Sequence, residues 1–369
     1  MTDGPDGSDF DRIIAPGAAT ATAEPEQQPQ QRPRRRKKSR KWLWFLIVLL
    51  LVLVLVAVAA FGYVSYLGRQ WDQGTQKLDS SEIFGEQSTG TADDGEDEAA
   101  SADGTNILLL GSDARAAGLD YTSTTGNRSD TILVAHIPEK GDGMQIMSIP
   151  RDMWVPIEGY GEAKINAAMS YGGLPLTVRA VSDFIDVDID HVAVIDMEGF
   201  KGLTDALGGV TVESEHSFTS AGYSFVEGSN DLDGEAALAF VRARKNFSDG
   251  DFQRNRNQQA FLKGVIDKVL SADTLSNPQK ISQTVSTFSP YVTVDDGLDS
   301  GALTQYAIKL RSMGTNGVDF FSAPTAGTGT SSDGQSIVNV DQERLEELRT
   351  AFDEGTVAEY AEAAPDEHL

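Results

Sequence analysis

Three short segments of the chain place an arginine and an aspartate close together beside an apolar run. They are GSDAR at residues 111–115, NRSD at residues 127–130 and SIPRD at residues 148–152. In open α/β sheets, ligands bind where strands give way to loops. Each segment by itself could be an ordinary turn or a surface ion pair. Their repetition favours a site in which carboxylates and guanidinium groups act together.

A fourth segment concentrates basic residues in an otherwise acidic chain: Arg242, Arg244, Lys245, Arg254 and Arg256. Guanidinium groups bind phosphate oxygens bidentately, and aspartates provide the hard oxygen ligands that Mg²⁺ prefers. Arginines combined with a pair of carboxylates therefore indicate a divalent cation that holds a pyrophosphate. The alternative is a helix face whose charges only form salt bridges.

The composition of the whole chain excludes several classes of protein. The 369 residues include 30 basic and 56 acidic side chains, and the net charge of −26 argues against nucleic acid as the main partner. Because the sequence has no cysteine, disulfides, thiolate zinc sites and a cysteine nucleophile are excluded. The histidines lack the paired spacing of zinc hydrolases, and His136 and His191 are predicted to be core or edge residues. Motifs of P-loop NTPases and α/β-hydrolases do not occur in the sequence either.

From about residue 104 onward, short apolar runs bounded by turn residues alternate with segments of helical period. Strands are predicted at residues 106–110, 131–137, 144–149, 191–195, 318–322 and 337–340. Helices are predicted at residues 163–171, 174–184, 197–207, 234–241, 251–270, 278–288, 301–313 and 342–352. This alternation, without a second linker, indicates one domain of the α/β class or an α-β-α arrangement.

The N-terminal part of the chain has the pattern of a membrane anchor. Residues 1–41 are predicted to be a disordered cytoplasmic leader that ends in the basic cluster 32–41. Residues 42–60 are apolar throughout, and the predicted transmembrane helix, residues 42–67, can span the roughly 30 Å hydrocarbon core. The positive-inside rule predicts a single-pass protein of the cell membrane with its C-terminal domain outside. A cleaved signal peptide is the alternative, but both the apolar run and the leader are long for one.

The remaining chain divides into three predicted parts. Residues 68–103 combine small polar residues with the acidic run 93–98, which predicts a flexible acidic stalk. Residues 104–355 contain the predicted strands and helices and are expected to form the catalytic domain. Residues 356–369 are expected to be a loose tail.

Seven motifs of the sequence, taken in order, resemble those of the LytR-CpsA-Psr family of cell-envelope proteins. They are NILLLGSDAR (106–115), NRSDTILVAHI (127–137), MSIPRDMWVPI (147–157), KINAA (164–168), ALGGV (206–210), LDGEAALAFVRAR (232–244) and GDFQRNRNQQ (250–259). The likeness covers essentially the whole C-terminal domain, and the leader followed by a single anchor is also similar to the family's topology. One departure is Asn257, where many members have arginine, and the neighbouring Arg256 could substitute for it.

The resemblance implies a phosphotransferase that moves a glycopolymer from a polyprenyl pyrophosphate carrier onto peptidoglycan through a phosphodiester. It implies an α-β-α sandwich with a mixed central sheet and an apolar pocket for the polyprenyl chain. By the same resemblance, Asp113 and Asp130 are the ligands of Mg²⁺ or Mn²⁺, and they act in catalysis together with Arg128 and Arg151. The residues implied to contact the pyrophosphate are Arg128, Arg151, Arg242, Arg244, Arg254 and Gln258.

The chemistry of such a transfer suits these residue types, because charge that spreads over phosphoryl oxygens is stabilised by positioned arginines and a metal ion. Asp113 and Asp130 are candidates for the group that accepts the hydroxyl proton. A polyprenyl-pyrophosphate hydrolase and a non-catalytic lipid-binding regulator of envelope assembly are the alternatives, and the two carboxylates favour an enzyme over a regulator. Wall teichoic acid, capsule and arabinogalactan all stay open as the glycopolymer. Apolar residues of the predicted helices 174–184 and 197–207 could line the lipid pocket, although core packing is their more common role.

Overall fold

The computed structural model describes residues 55, 58–59, 61–85, 104–112, 121–122, 129–139, 143–247, 250–313 and 317–363. Two predicted site residues, Asp113 and Arg128, lie outside these ranges, as do the predicted leader and most of the predicted transmembrane segment. Within the described ranges, no helix combines the length and the apolar character needed to cross a membrane.

The described residues form a mixed sheet of seven strands that is surrounded by helices and short hairpins. The strands are β1 (Gln76–Leu78), β2 (Thr105–Ser112), β3 (Ser129–Ile137), β4 (Met144–Ser148), β5 (Trp154–Ile157), β6 (Gly161–Lys164), β7 (His191–Ile195), β8 (Val210–Ser214), β9 (Phe218–Ser220), β10 (Tyr223–Phe225), β11 (Gly228–Leu232), β12 (Val292–Asp295), β13 (Val318–Ser322), β14 (Thr325–Thr330) and β15 (Ser336–Val340). The helices are α1 (61–74), α2 (Ser80–Phe84), α3 (Ala167–Ile185), α4 (Met197–Ala206), α5 (Gly234–Val241), α6 (Asp251–Leu270), α7 (Ala272–Leu275), α8 (Pro278–Phe288), α9 (Ser300–Met313), α10 (Gln342–Asp353) and α11 (Val357–Ala363), with a 3₁₀ turn at Ser289–Tyr291.

The central sheet has the strand order β1-β12-β7-β2-β3-β4-β13. Strand β2 is parallel to β7 and antiparallel to β3, and β4 is antiparallel to β3 and parallel to β13. The predicted mixed central sheet is therefore confirmed. Five predicted strands lie in it, and the sixth, at residues 337–340, pairs with β14 outside it.

Helices cover both faces of the sheet, because successive side chains of a strand point to opposite sides. Leu108 and Leu110 of β2 belong to a core cluster that they share with residues of α3 and α10. Ile107 belongs to a second cluster, which packs against Leu262 of α6 and Leu310 of α9. The predicted arrangement of helix, sheet and helix layers is thus observed.

The two helices predicted at residues 163–171 and 174–184 are observed as the two halves of α3, separated by a kink at residues 172–173, but the first half begins later than predicted. Residues Gly161–Lys164 instead pair with Trp154–Ile157 as the hairpin β5–β6, and α3 then runs from Ala167 to Ile185. The helix is interrupted at Gly173, whose φ of 66° suits glycine. A Cβ atom at Gly173 would lie 2.8 Å from the carbonyl oxygen of Tyr121, so the kink admits a close approach of the preceding loop.

The expected boundaries of the domain need correction at both ends. The predicted stalk, residues 68–103, includes part of α1, then β1, which pairs with β12, and α2, whose Ile83 is buried in the core. Nε1 of Trp71 donates to the carbonyl oxygen of Leu298 at 3.3 Å. At the other end, the expected loose tail begins with α11, whose Val357 is 1% exposed. A few well-spaced apolar residues are enough to pack these segments against an existing core. So small a number of apolar residues produces no detectable period in the sequence.

Candidate active site

The register of the sheet brings the ends of four strands together along the edge that runs across the strand ends, which we call the sheet edge. Gly111, near the end of β2, pairs with Thr131 of β3 on one side and with Ile195, the last residue of β7, on the other. Strand β4 ends nearby, since Leu133 of β3 pairs with Ser148. The segments that follow β2, β4 and β7 and the one that precedes β3 therefore all lie at this edge.

Two predicted site residues meet at this edge. Asp130 is the second residue of β3, and Arg151 follows β4 after Pro150. Nη1 of Arg151 donates to Oδ1 of Asp130 at 2.5 Å, and the two side chains are 17% and 30% exposed. Nε of Arg151 lies 3.6 Å from Oδ2 of Asp152. The two carboxylates orient the guanidinium group at the end of the sheet.

Helix α6 presents a face that changes from polar to apolar along its length. Arg254 and Gln258 lie in its first half, and Phe261, Leu262 and Val265 follow at helical spacing. Residues three and four apart share one face of a helix. Arg254 is only 4% exposed, so α6 carries a guanidinium group into the interior of the protein.

Helix α4 has the same change from polar to apolar. Its N-cap Asp196 directly follows β7, and Oδ1 of Asp196 accepts a hydrogen bond from the backbone N–H of Gly199 at 2.7 Å. Met197, Phe200 and Leu203 follow on the face that looks toward the sheet and α6.

Helix α5 approaches the sheet edge in the opposite direction. Leu238 and Val241 come first, and Arg242 and Arg244 follow the end of the helix. Nη1 of Arg242 lies 3.3 Å from Sδ of Met197 in α4. The basic residues of this segment therefore come to the same edge as Asp130 and Arg151.

These elements enclose a cavity of about 470 Å³, which we call the apolar cavity. Its described lining residues are Leu109, Leu110, Gly111, Ser112, Asp130, Thr131, Leu133, Arg151, Ala193, Ile195, Asp196, Met197, Phe200, Leu203, Leu238, Val241, Arg242, Arg244, Arg254, Gln258, Phe261, Leu262, Val265 and Phe288. Along every contributing element, the polar residues lie at the sheet edge and the apolar residues lie deeper. The cavity therefore has an apolar interior and one polar, charged end.

The charged end has an excess of positive charge. Among the described lining residues, four arginines face two carboxylates, Asp130 and Asp196. Asp196 is in addition engaged as the cap of α4. Two excess positive charges match a pyrophosphate diester, which carries about two negative charges, and arginine suits phosphate oxygens because its fork is bidentate.

A buried tyrosine stands next to this charged end. Burial raises the pKa of the Tyr121 hydroxyl, and the negative charge of Asp196 raises it further, whereas a hydrogen bond with Ser112 acts in the opposite direction. Tyr121 therefore keeps its proton at neutral pH. It can act there as a hydrogen-bond partner and not as a base.

Comparison with known proteins identifies the fold and the family. The sequence profile of the LytR_cpsA_psr family matches residues 71–354. The chain belongs to the LytR_cpsA_psr family. The start of the match at residue 71 agrees with the inclusion of β1 and α2 in the domain.

Two curated relatives and one crystal structure illustrate the similarity. The chain is 31% identical to the cell wall biosynthesis protein LcpA of Corynebacterium glutamicum over 315 residues, 72% of this chain and 60% of the relative. It is 41% identical over 172 residues to the polyisoprenyl-teichoic acid–peptidoglycan teichoic acid transferase TagU of Bacillus cereus, 46% of this chain and 54% of the relative. The crystal structure of B. subtilis TagV superimposes with a TM-score of 0.58 at 28% identity and covers 69% of this chain and 98% of TagV. The chain thus spans between half and two thirds of the length of the two curated relatives.

Most site residues predicted from the family motifs come together in the apolar cavity. Asp130, Arg151, Arg242, Arg244, Arg254 and Gln258 all line it. Asp113 and Arg128 lie outside the described residues, although their described neighbours Ser112 and Ser129 pair with each other at the same sheet edge.

The expected substitution of Arg256 for the arginine that many family members have at position 257 is not observed. Nε of Arg256 pairs with Oε2 of Glu215 at 2.8 Å, outside the apolar cavity. Asn257 is 2% exposed, and its Nδ2 donates to the carbonyl oxygen of Phe240 at 3.2 Å. Because neighbouring residues on a helix point in different directions, Arg256 cannot take over a contact that belongs to the face of Arg254 and Gln258.

Sequence reasoning missed Asp196 and left the role of two helices open. Asp196 follows strand β7 directly, which is the same signal that identified Arg151 after β4. Of the two helices, α4 lines the apolar cavity, whereas Leu174, Leu176 and Val178 of α3 pack into the core on the other side of the sheet. His136, predicted to be a core residue, is 4% exposed, and its Nδ1 lies 2.8 Å from Oδ1 of Asn106.

The donor set at the charged end fits a magnesium ion that is shared with a phosphate ligand. Among the described residues, no group of three or more His, Asp or Glu side chains could hold a metal by itself. Asp130, which is 30% exposed, lies at the cavity end beside the arginines. Mg²⁺ typically binds one or two carboxylates together with phosphate oxygens and water, so Asp130, the described carboxylate at this end that does not cap a helix, is compatible with it.

Proposed function

We propose that this protein transfers a glycopolymer from a polyprenyl pyrophosphate carrier onto peptidoglycan, forming a phosphodiester. The observation that carries this proposal is the apolar cavity, because its described residues combine an apolar interior with two excess positive charges at one end. A polyprenyl pyrophosphate has the same two parts in the same order. The name of the TagU relative, a teichoic acid transferase that acts on peptidoglycan, supports the proposal.

The proposed reaction breaks one phosphorus–oxygen bond and forms another. An acceptor hydroxyl attacks the phosphorus on the sugar side of the pyrophosphate, the bond to the polyprenyl phosphate breaks, and the hydroxyl proton passes to a base or to water. Arg151, Arg242, Arg244 and Arg254 stabilise the charge that develops on the phosphoryl oxygens. The carboxylate of Asp130, which lines the charged end of the apolar cavity, is the proposed acceptor of this proton.

We further propose that Mg²⁺ or Mn²⁺ binds at Asp130 and Asp113. A bound divalent ion would neutralise charge on the phosphoryl oxygens of the substrate. Asp130 is also paired with Arg151 at 2.5 Å, so the aspartate aligns the arginine that is to hold the phosphate.

The location of the domain outside the cell membrane is also a proposal. It is supported by the basic cluster 32–41 directly before the apolar run 42–60. Protease added to spheroplasts should digest the C-terminal domain while a cytosolic control protein survives. Protection of both proteins would contradict this topology.

The decisive experiment is a transfer assay with the full-length protein in detergent. A radiolabelled lipid-linked oligosaccharide is incubated with Mg²⁺ and soluble peptidoglycan oligomers, and the products are separated by size and by charge. Transfer of the label to peptidoglycan, together with release of polyprenyl phosphate, is the expected result. Release of the phosphorylated oligosaccharide into water at the same rate with and without peptidoglycan would identify a hydrolase. Binding of the lipid without turnover would identify a regulator.

A further inference from the structure

A second cavity, of about 720 Å³, meets the apolar cavity at Arg151 and Arg244. We call it the polar basin. It is bounded by the hairpin β5–β6, the start of α3, the hairpin β14–β15 and the chain before α6. The two arginines are the residues that line both cavities, so they stand at the boundary between them.

The polar basin is lined by side chains that can hydrogen-bond a hydroxyl-rich ligand. Asn166, Ser170, Gln335 and Ser336 contribute amide and hydroxyl groups, which can both donate and accept. Phe252, Ile337 and Val338 also line the basin, but most of its described lining side chains are polar or charged. Such a lining suits a polar ligand that is held by several directed hydrogen bonds.

An exposed aromatic pair stands at the side of the basin. The rings of Tyr160 and Tyr171 are stacked with centroids 4.5 Å apart and an interplanar angle of 13°. They are 53% and 38% exposed, and Tyr171 lines the basin. Flat aromatic rings with a polar hydroxyl suit ligands that are apolar on one face and polar at the edge, as pyranose rings are.

The basin also carries positive charge. Its described lining includes Arg151, Lys164, Arg244 and Lys245 against one carboxylate, Asp152, whose Oδ1 lies 2.9 Å from Nζ of Lys164. In a chain with a net charge of −26, this local excess favours an anionic ligand. A saccharide that bears carboxylate substituents combines all the features that the basin can recognise.

We propose that the polar basin binds the acceptor, a saccharide segment of peptidoglycan with its carboxylate substituents. This inference rests on the proposed transfer and adds the place of the nucleophile. In phosphoryl transfer, the attacking and leaving oxygens lie roughly in line on opposite sides of the phosphorus. The leaving polyprenyl phosphate occupies the apolar cavity, so the acceptor hydroxyl must approach from the other side of Arg151 and Arg244, where the basin lies.

The test compares Tyr171→Ala with Tyr223→Ala in the full-length protein. Both tyrosines are 38% exposed, but Tyr223 lies on β10, away from the basin. Tyr171→Ala should raise the KM for peptidoglycan oligomers at least about tenfold, since stacking and shape are lost, and leave the KM for the lipid-linked donor unchanged. Tyr171→Phe, which keeps the ring, should stay within about threefold of the wild type. Tyr223→Ala should change neither constant.

Direct binding of the same peptidoglycan oligomers, measured by calorimetry without donor, separates this inference from the proposed function. If the protein shows no transfer activity but binds the oligomers, and Tyr171→Ala weakens that binding, then the proposed function is wrong and the basin is still a saccharide site. Normal transfer, with the acceptor KM and the binding unaffected by Tyr171→Ala, would overturn the basin and keep the function. A rise in the KM of the donor alone would assign the basin to the donor's saccharide and overturn the acceptor assignment.

Discussion

The apolar cavity and the polar basin share two arginines but are built from different parts of the fold. The apolar cavity lies between the face of the sheet and the helices α4, α5 and α6, whose side chains repeat at strand or helix spacing. The polar basin is walled mainly by the hairpins β5–β6 and β14–β15 and by the start of α3. Regular elements provide a continuous apolar surface, which an extended lipid requires. Hairpins and loops place polar groups at irregular positions, which a saccharide requires.

The difference between the cavities indicates that each one binds a different substrate. In the proposed reaction one side binds by apolar burial and the other by hydrogen bonds and charge, and the phosphorus lies at Arg151 and Arg244, which line both cavities. Substitutions at the boundary should therefore slow transfer whichever substrate is varied. Substitutions within one cavity should raise the KM of only one substrate.

The largest effect is expected from Asp130, which lines the apolar cavity and pairs with Arg151 at the boundary. Asp130→Ala removes the predicted metal ligand and the partner of Arg151, so the transfer rate should fall by about 10²–10³-fold, as for the loss of a preorganised group at developing charge. The melting temperature should change by only a few degrees, because the carboxylate lies at a strand end and not in the core. Asp130→Asn keeps the size of the side chain. Wild-type transfer by Asp130→Asn in metal-free buffer would remove the metal assignment.

Arg244 tests whether the boundary holds a pyrophosphate. If its guanidinium group binds phosphate bidentately, lysine cannot reproduce the fork, and Arg244→Lys should lose at least about tenfold in transfer rate. Arg256→Lys is the matched control, since Arg256 pairs with Glu215 at 2.8 Å outside both cavities. Because Arg256 lines neither cavity, this control should keep its transfer activity. Equal rates for both variants would leave Arg244 with a salt-bridge role only.

Ala193 tests the apolar cavity alone. Ala193 lies on β7 and lines the apolar cavity but not the basin. In Ala193→Trp the indole occupies space meant for the lipid, and each CH₂ group that loses its burial costs about 0.8 kcal/mol. The KM for a long-chain donor should rise about tenfold, and that for a short-chain donor should change less. An equal rise for both chain lengths would show that the cavity does not hold the polyprenyl chain.

Combining Ala193→Trp with Tyr171→Ala sharpens the comparison. If the two cavities bind different substrates, the free-energy effects on transfer should add within about 0.3–0.5 kcal/mol. A marked departure from additivity would mean that one ligand occupies both cavities.

The smallest effect is expected at the opposite end of the sheet, where Oδ2 of Asp190 accepts from the backbone N–H of Asn106 at 2.7 Å. Burial raises the pKa of Asp190, with a smaller contribution from the charge of Asp188. The folded protein therefore holds this proton to higher pH than the unfolded chain does. The contribution of the protonated Asp190 to the free energy of unfolding is fully present below the unfolded pKa of about 3.9. This contribution is lost as the pH rises through the folded pKa.

The free energy of unfolding of Asp190→Asn, minus that of the wild type, should therefore increase as the pH rises from about 3 to 7. Urea unfolding at several pH values measures this difference, and the exposed Asp183→Asn is the control. Transfer activity should be unaffected in both variants. A stability difference that is constant with pH would contradict the raised pKa.

The elements that the sequence predicted best are those with an uninterrupted period. The strand His191–Ile195 and the helices Gly234–Val241, Asp251–Leu270 and Pro278–Phe288 have the predicted bounds. The hairpin β5–β6 was missed because Gly161–Lys164 has one buried residue and no apolar alternation. That omission also hid one wall of the polar basin, since Lys164 is part of it.

The sequence by itself determined which chemical groups are available and where strands expose them. Arginines and aspartates next to apolar runs marked Asp130 and Arg151, and a helical period predicted the helix at residues 251–270 that carries Arg254 and Gln258. These are local properties, because a period or a strand end depends only on neighbouring residues.

The tertiary structure alone decided which of these groups share a cavity. It brought Arg244 to the boundary with Arg151, nearly a hundred residues earlier in the chain, added Asp196, and directed Arg256 toward Glu215. The register of the sheet and the packing of α5 and α6 on it set these distances. Such contacts join residues that are far apart in the chain, and their geometry depends on the whole folded core rather than on any local pattern.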